Sequence, residues 1–363
     1  MTSDVIGGVW TYATGLASSL AASGADVHLI TMGPGPRPDQ REMLSASAVH
    51  LTETDLTLEW QDPEAADLVH ARDVFASLEK RIKPDIIHLN SYREATFDRH
   101  APVVVVAHSC VNSWAMACND SSWLSEPRWQ RYSELVAAGL NRADAWVAPS
   151  RTFHDVVSNL YHPRAPGMTI QNGVEPSLER PGAKKSFILA AGRMWDAAKN
   201  LAMLAEAGKD LDWPVFVAGT AATSAGNLTS GIELLGELSH SELRLRMQRA
   251  AIFVSPAQYE PFGLSVLEAA NSGCALVLSD IPTFRELWSG AAMFVPSGDP
   301  DRLRTALGEL CADSVKRARL QLAAFKRARR YSMTQMADSY AKLYRSLISS
   351  RCSRKHNALE AHP

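Results

Sequence analysis

Cysteine is scarce in this chain and follows no pattern. The five cysteines, at positions 110, 118, 274, 311 and 352 of 363, form no C-x-x-C pair and no zinc-like spacing, and their odd number suits a reduced protein. A disulfide scaffold is excluded, and neither disulfides nor a metal are expected. Long apolar runs are lacking as well. No stretch approaches the ~20 residues of a membrane span, and the N-terminus has neither the basic start nor the continuous apolar core of a signal peptide. A cytoplasmic location is expected, with room left for peripheral contact at the inner face of the membrane. An excess of positive charge is missing too: the formal net charge is -2, which argues against a nucleic-acid partner. No G-x-G-x-x-G follows an apolar strand, which speaks against a nicotinamide enzyme. No Asp-x-Asp run offers an obvious divalent cation site, and there is no internal repeat and no low-complexity segment.

What remains is the composition of an ordinary globular protein, 46% apolar and 21% charged, with enough length for two cores. Charge is uneven: residues 1–180 carry about 14 Lys/Arg against about 22 Asp/Glu, leaving the second half net basic and better suited to an anionic ligand. Short apolar runs alternate with longer helical patterns. VHLITM (27–32), DIIHLN (85–90), VVVVAHS (103–109) and AWVAPS (145–150) form one series. FILAAG (187–192), VFVAG (215–219), IELLG (232–236), IFVSPA (252–257), ALVLSD (275–280) and AMFVP (292–296) form a second. Fully apolar runs of this length read as buried strands of parallel sheets, so the fold class is α/β with two doubly wound domains. The Pro/Gly-containing stretch 172–185 reads as the linker, and the tail after Arg351 as disordered. GGVWTYATGLASSLAASG reads as a glycine turn and a helix, yet only six residues precede Gly7. The strand that should feed this turn is expected to be missing, either through a late start or through loss from the first domain.

Candidate site residues gather where α/β sheets bind ligands, beyond the C-terminal ends of strands. In YEPFGLSVLE, two glutamates stand eight positions apart. On one helix they would point about 80° apart, so Pro261 is expected to open the helix, with Glu260 in the loop before it and Glu268 within it. The amides around Phe262, Gly263 and Leu264 would then form a helix start able to hold a phosphate. Arg193 directly follows the strand FILAAG, with Lys199 six residues later, and the two could clamp a diphosphate; solvated surface charge explains them equally well. His108 closes VVVVAHS, as a ligand contact or a structural histidine. The Gly7-Gly8 turn could approach an anion or simply tighten the start of a helix. Cys110 has no evident activating base. Trp114, Trp123 and Trp129 fit the packing of a lid better than a sugar platform or a membrane contact.

Together IGGVWTY, the AHS strand end, ADAWVAPS, IQNGVEP, AAGRMWDAAKN and above all E-P-F-G-L-S-V-L-E resemble the retaining glycosyltransferases of family 4, from residue 5 to about 345. The resemblance implies a GT-B fold: two Rossmann-like domains facing across a cleft. It places an N-terminal acceptor-side domain at 1–172, a donor-binding domain at 173–335, and a C-terminal helix and tail at 336–363, the helix packing back toward the first domain. It implies a nucleotide-diphosphate sugar as donor, no metal or other cofactor, and an acceptor that is a glycan, a lipid or a small molecule. By the same resemblance Arg193 and Lys199 bind the diphosphate, Glu260 approaches the transferred sugar and Glu268 holds the ribose. Phe262, Gly263 and Leu264 line the donor, Gly7 and Gly8 face the diphosphate, and His108 contacts the sugar. A non-catalytic nucleotide-sugar-binding subunit and an epimerase on the same fold stay open as alternatives. The base, the sugar and the oligomeric state are not fixed by any motif.

Overall fold

The computed structural model describes residues 1–177, 182–221 and 230–360. The chain divides into two compact units. One comprises Met1–Met116, Asp120–Gln171 and Met333–Pro363, and the other Asn172–Ser332 with Ala117–Asn119. Part of the expected linker, residues 178–181, lies outside the described residues.

The first unit holds seven parallel strands in two ladders. β1 (Thr2–Asp4), β2 (Val27–Met32) and β3 (Val49–Glu53) form one, and β4 (Ile87–Leu89), β5 (Val103–Val106), β6 (Ala145–Ala148) and β7 (Gly167–Thr169) the other. The strand expected to be missing is therefore present in short form. Thr2, Ser3 and Asp4 pair with Ile30, Thr31 and Met32. A polar triplet makes a strand here because Thr2 and Ser3 are enclosed, at 3% and 1% exposure, and their backbone groups must then find ladder partners. Asn90 spans the seam between the ladders, its amide N–H donating to Thr2 Oγ1 (2.9 Å) and its Nδ2 to Thr2 O (2.6 Å). The helix Gly8–Ala22 follows β1 directly, and the C-terminal helix Met333–Glu360 packs against it with Tyr340 near Tyr12. That last helix continues to Glu360, through the stretch expected to be a disordered tail.

Among the described residues, the second unit forms a six-stranded parallel sheet of β8 (Lys185–Ala191), β9 (Val215–Ala218), β10 (Glu233–Gly236), β11 (Ala250–Ser255), β12 (Ala275–Ser279) and β13 (Ala292–Val295). The order across the sheet is β10-β9-β8-β11-β12-β13, the 3-2-1-4-5-6 arrangement of a dinucleotide-type doubly wound fold. Alternate residues feed opposite layers. Phe187, Leu189, Phe253, Leu276 and Leu278 enter one core with Phe262, Val266, Phe284 and Trp288. Ile188, Ala190, Ile252, Val254, Ala275 and Val277 enter the other with Leu303 and Leu307. Each fully enclosed Val, Leu, Ile or Phe contributes about 1.5–3 kcal/mol, which is why these strands read as unbroken apolar runs.

A buried ionic cluster anchors the loop after β4. Arg93 is 1% exposed. Its Nε donates to Glu94 Oε1 (2.9 Å), and its terminal nitrogens donate to Asp62 Oδ2 (2.8 Å), Asp62 O (3.2 Å) and Thr57 O (2.8 Å). Glu59 Oε2 accepts from the amides of Tyr92 and Arg93 at 3.0 and 3.1 Å. Burial, reinforced by the Glu94 charge, pushes Glu59 up to about 8. Arg93 pairs with the other two carboxylates, Asp62 and Glu94. Arg93→Ala strands them in the interior and should lower unfolding stability by about 3–5 kcal/mol, measured as the shift of the first urea transition of the full chain. A loss under about 1 kcal/mol would show that the cluster is not holding the loop.

Candidate active site

In an open doubly wound sheet, ligands bind where the strand order reverses, outside the carboxyl ends of the strands. In the second unit that point lies between β8 and β11. Arg193, Asp196 and Lys199 follow β8, and Glu260 follows β11. Lys199 belongs to a short 3-10 turn, Ala197–Lys199, rather than to the next helix, which begins at Leu201. Its Nζ donates to Glu260 Oε2 at 2.6 Å, with the two side chains only 17% and 16% exposed, a charge-assisted contact in a mostly dry setting. Arg193 stays 37% exposed, with a terminal nitrogen 3.4 Å from Asp196 Oδ2 and its guanidinium 5.6 Å from the Trp195 ring centroid. Asp196 also caps the turn by accepting from the Ala198 amide at 3.0 Å.

Two backbone features hold this geometry. Asn200 adopts a left-handed conformation (φ 56°), and its Nδ2 donates to Ser297 O (2.7 Å) and Pro256 O (3.2 Å), while the Gln258 amide donates to Ala198 O (2.8 Å). The loops after β8, β11 and β13 are thus tied together. Gly219, at φ 125°, ends β9 so close to β8 that a Cβ would lie 1.8 Å from Gly192 O.

The helix after Glu260 begins at Leu264, not at Pro261 as the sequence suggests. Gly263 stands between them at φ 89° in the left-handed region, where a helix cannot run, and acts as the N-cap. Phe262 is 3% exposed and packs into the core beside Phe284, so its side chain supports the loop and only backbone groups there can face a ligand. Glu268 lies in the second turn of this helix, 18% exposed, and its Oε1 accepts from His240 Nε2 at 2.8 Å. His240 opens the helix His240–Arg249, whose N-cap Ser239 forms a capping box with Glu242.

In the first unit the Gly7-Gly8 turn is exposed, with Gly7 at φ 74° capping the helix Gly8–Ala22. Tyr12 of that helix meets His108 edge-on, ring centroids 4.5 Å apart. His108 lies two residues beyond β5. Its Nε2 is 2.8 Å from Asn90 Oδ1, and His88 Nε2 is 3.1 Å from the same atom. Burial lowers both histidines to about 3, so both are neutral at pH 7. Because Oδ1 can only accept, the His108 proton is assigned to Nε2, and its Nδ1 keeps a lone pair that can accept from a hydroxyl. Cys110 is buried against Ser113 (Sγ–Oγ 3.0 Å) with its pKa raised by burial, an inert thiol. Trp123 and Trp129 pack edge to face at 4.9 Å, with Trp114 at 6.3 Å from Trp123.

Asp196, Asn200 and His240 were not singled out by the sequence reading. Asp196 and Asn200 sit inside RMWDAAKN, where a cap-forming Asp just before a short turn is a usable signal. His240 lies in S-H-S-E, a capping box that marks a helix start but gives no hint that the histidine reaches Glu268.

These two parallel α/β units define a GT-B fold. The chain is similar over 94% of its length to sucrose-phosphate synthase from Thermosynechococcus elongatus (93% of that chain, TM-score 0.75, 18% identity). It is similar over 95% to Anabaena HepE in complex with UDP and glucose (99% of that chain, TM-score 0.74, 15% identity). Residues 6–178 match Glycosyltransferase Family 4 and residues 185–313 match Glycosyl transferases group 1; the chain belongs to the family 4 glycosyltransferases. A glycogen synthase of Mycobacterium tuberculosis is 25% identical over 323 residues, 76% of this chain and 75% of its own length.

The Glu268 hydrogen bond raises the His240 pKa above its ordinary value against the opposing effect of burial. A raised histidine pKa means that the pair's contribution is complete below the unfolded value of about 6.5 and is lost as pH rises through the folded value. NMR titration of His240 should show an elevated pKa that falls in Glu268→Gln. An unchanged pKa in that variant would break the link between the two side chains.

Proposed function

We propose that the protein transfers a sugar from a nucleotide-diphosphate sugar to a glycan, lipid or small-molecule acceptor, with retention of configuration and without a metal ion. The observation that carries this reading is the grouping of Arg193, Lys199 and Glu260 at the strand-order reversal of the second unit. Two cations and a carboxylate there match a donor that is anionic at its diphosphate and hydroxylated at its sugar. Lys199 has three donors and gives one to Glu260, so it can serve a phosphate oxygen as well. As the bond between the anomeric carbon and the phosphate oxygen breaks, the nucleoside diphosphate leaves with the electron pair. Arg193 and Lys199 stabilise that charge from fixed positions. Glu260 meets the sugar, Glu268 holds the ribose with the oxygen that His240 leaves free, and the loop amides at Gly263 and Leu264 contact the donor. His108, neutral, accepts from a sugar hydroxyl, and the Gly7-Gly8 turn offers amides to the diphosphate. The family membership and the HepE structure with UDP and glucose support this reading.

Incubation with UDP-, GDP- and ADP-sugars, scored for nucleotide release with and without acceptor extract, tests the transfer itself. Release that requires acceptor is the expected result, and release that does not would favour epimerase-like chemistry. Glu260→Gln should lower kcat by about two orders of magnitude, as expected for loss of a preorganised polar contact. Glu268→Gln should mainly raise the donor KM and weaken binding of the free nucleoside diphosphate in calorimetry. Equal weakening of that binding by both changes would show that the roles are divided wrongly.

Metal independence follows from the same charges, since Arg193 and Lys199 already supply what a diphosphate needs. Activity should persist in EDTA. Complete loss with chelator, restored by magnesium or manganese, would overturn the assignment.

A further inference from the structure

We infer that Asp26, His28 and His50 form a binding site for a zinc-class divalent metal ion, separate from the proposed donor site. His28 and His50 are direct partners in the β2–β3 ladder, so their side chains leave the sheet on the same face. Their rings stack with centroids 4.8 Å apart and planes at 24°. Asp26, in the turn just before β2, reaches both. Its Oδ1 lies 3.5 Å from His28 Nε2 and 3.3 Å from His50 Nε2, and the three ligand atoms all fall within 4.8 Å of one another.

The spacing is informative. Both N···O separations exceed the ordinary range for an N–H···O hydrogen bond, about 2.7–3.2 Å. These two separations match instead the ligand–ligand edge of a tetrahedral zinc site, about 3.4 Å for bonds near 2.0–2.1 Å, and the third, between the two imidazoles, lies within 4.8 Å. Two imidazoles and a carboxylate are also a ligand set that zinc accepts and magnesium does not favour. Asp26 is 74% exposed and His50 64%, so water completes the coordination.

Placement says what the ion would do. The cluster sits at the amino ends of β2 and β3, whereas α/β sheets bind substrates at the carboxyl ends. β3 pairs only with β2 among the described strands. A metal here cross-links that edge strand to its neighbour, acting as a structural clip and not as a participant in transfer. Cysteine spacing gave no hint of it, because strand pairing brings together residues more than twenty positions apart.

The test is calorimetric titration of zinc into the full chain at pH 7.5, with magnesium as control. Wild type should bind one zinc saturably, and zinc should raise its melting temperature. His28→Ala, His50→Ala and Asp26→Asn should each weaken binding tenfold or more and abolish the thermal shift, while magnesium leaves all four proteins unchanged. Residual weak binding common to all variants would report isolated pairs such as His70–Asp55 and His154–Asp155. Zinc affinity in wild type no better than in His50→Ala, or no saturable binding at all, would overturn the inference.

Discussion

One side-chain amide sets the geometry of the candidate site. Asn200 Nδ2 reaches the carbonyls of Pro256 and Ser297, and in doing so it fixes the loops after three strands that are far apart in sequence. Lys199 is the residue before it, and Glu260 follows four residues after Pro256. The 2.6 Å contact between Lys199 and Glu260 therefore depends on a backbone arrangement that neither charged residue makes. The left-handed conformation of Asn200 is part of the same device, since asparagine is among the few non-glycine residues that tolerate it. Strain at one residue is exchanged for order at three loops.

Much of the architecture was readable because parallel strands covered on both faces leave continuous apolar runs. Each of the ten expected strands overlaps an observed one. Three others escaped notice. β1 is the polar triplet Thr2–Asp4, β7 is Gly167–Thr169, and β3 carries histidine, threonine and glutamate along VHLTE. In each case a neighbouring strand supplied the order, and propensity alone did not show it. The start of the helix before Glu268 was misplaced by three residues because a proline signal is visible in sequence, whereas the left-handed turn at Gly263 is a property of the folded loop.

The site was legible to a different depth. Arg193, Lys199, Glu260 and Glu268 lie in motifs short enough to recognise, but their partners lie elsewhere in the chain. His240 meets Glu268 across 28 positions, and Asn90 meets His108 across 18. No periodicity reports such pairs, because they follow from sheet order and loop length. The same holds for Arg93, which is among the most deeply buried side chains of the described residues.

The pairing of Lys199 with Glu260 has a consequence for what the site refuses. A pocket lined by unopposed cations attracts any small anion, and cells hold inorganic phosphate in abundance. Here the lysine already has a tethered counter-ion, so a bare anion must compete with a carboxylate that carries no entropic cost of association. Under the proposed function, a sugar diphosphate would differ in that its hydroxyls give Glu260 something to hold while its phosphates engage the cations, and the ion pair would then act as a filter that opens fully only to ligands carrying both chemical signatures.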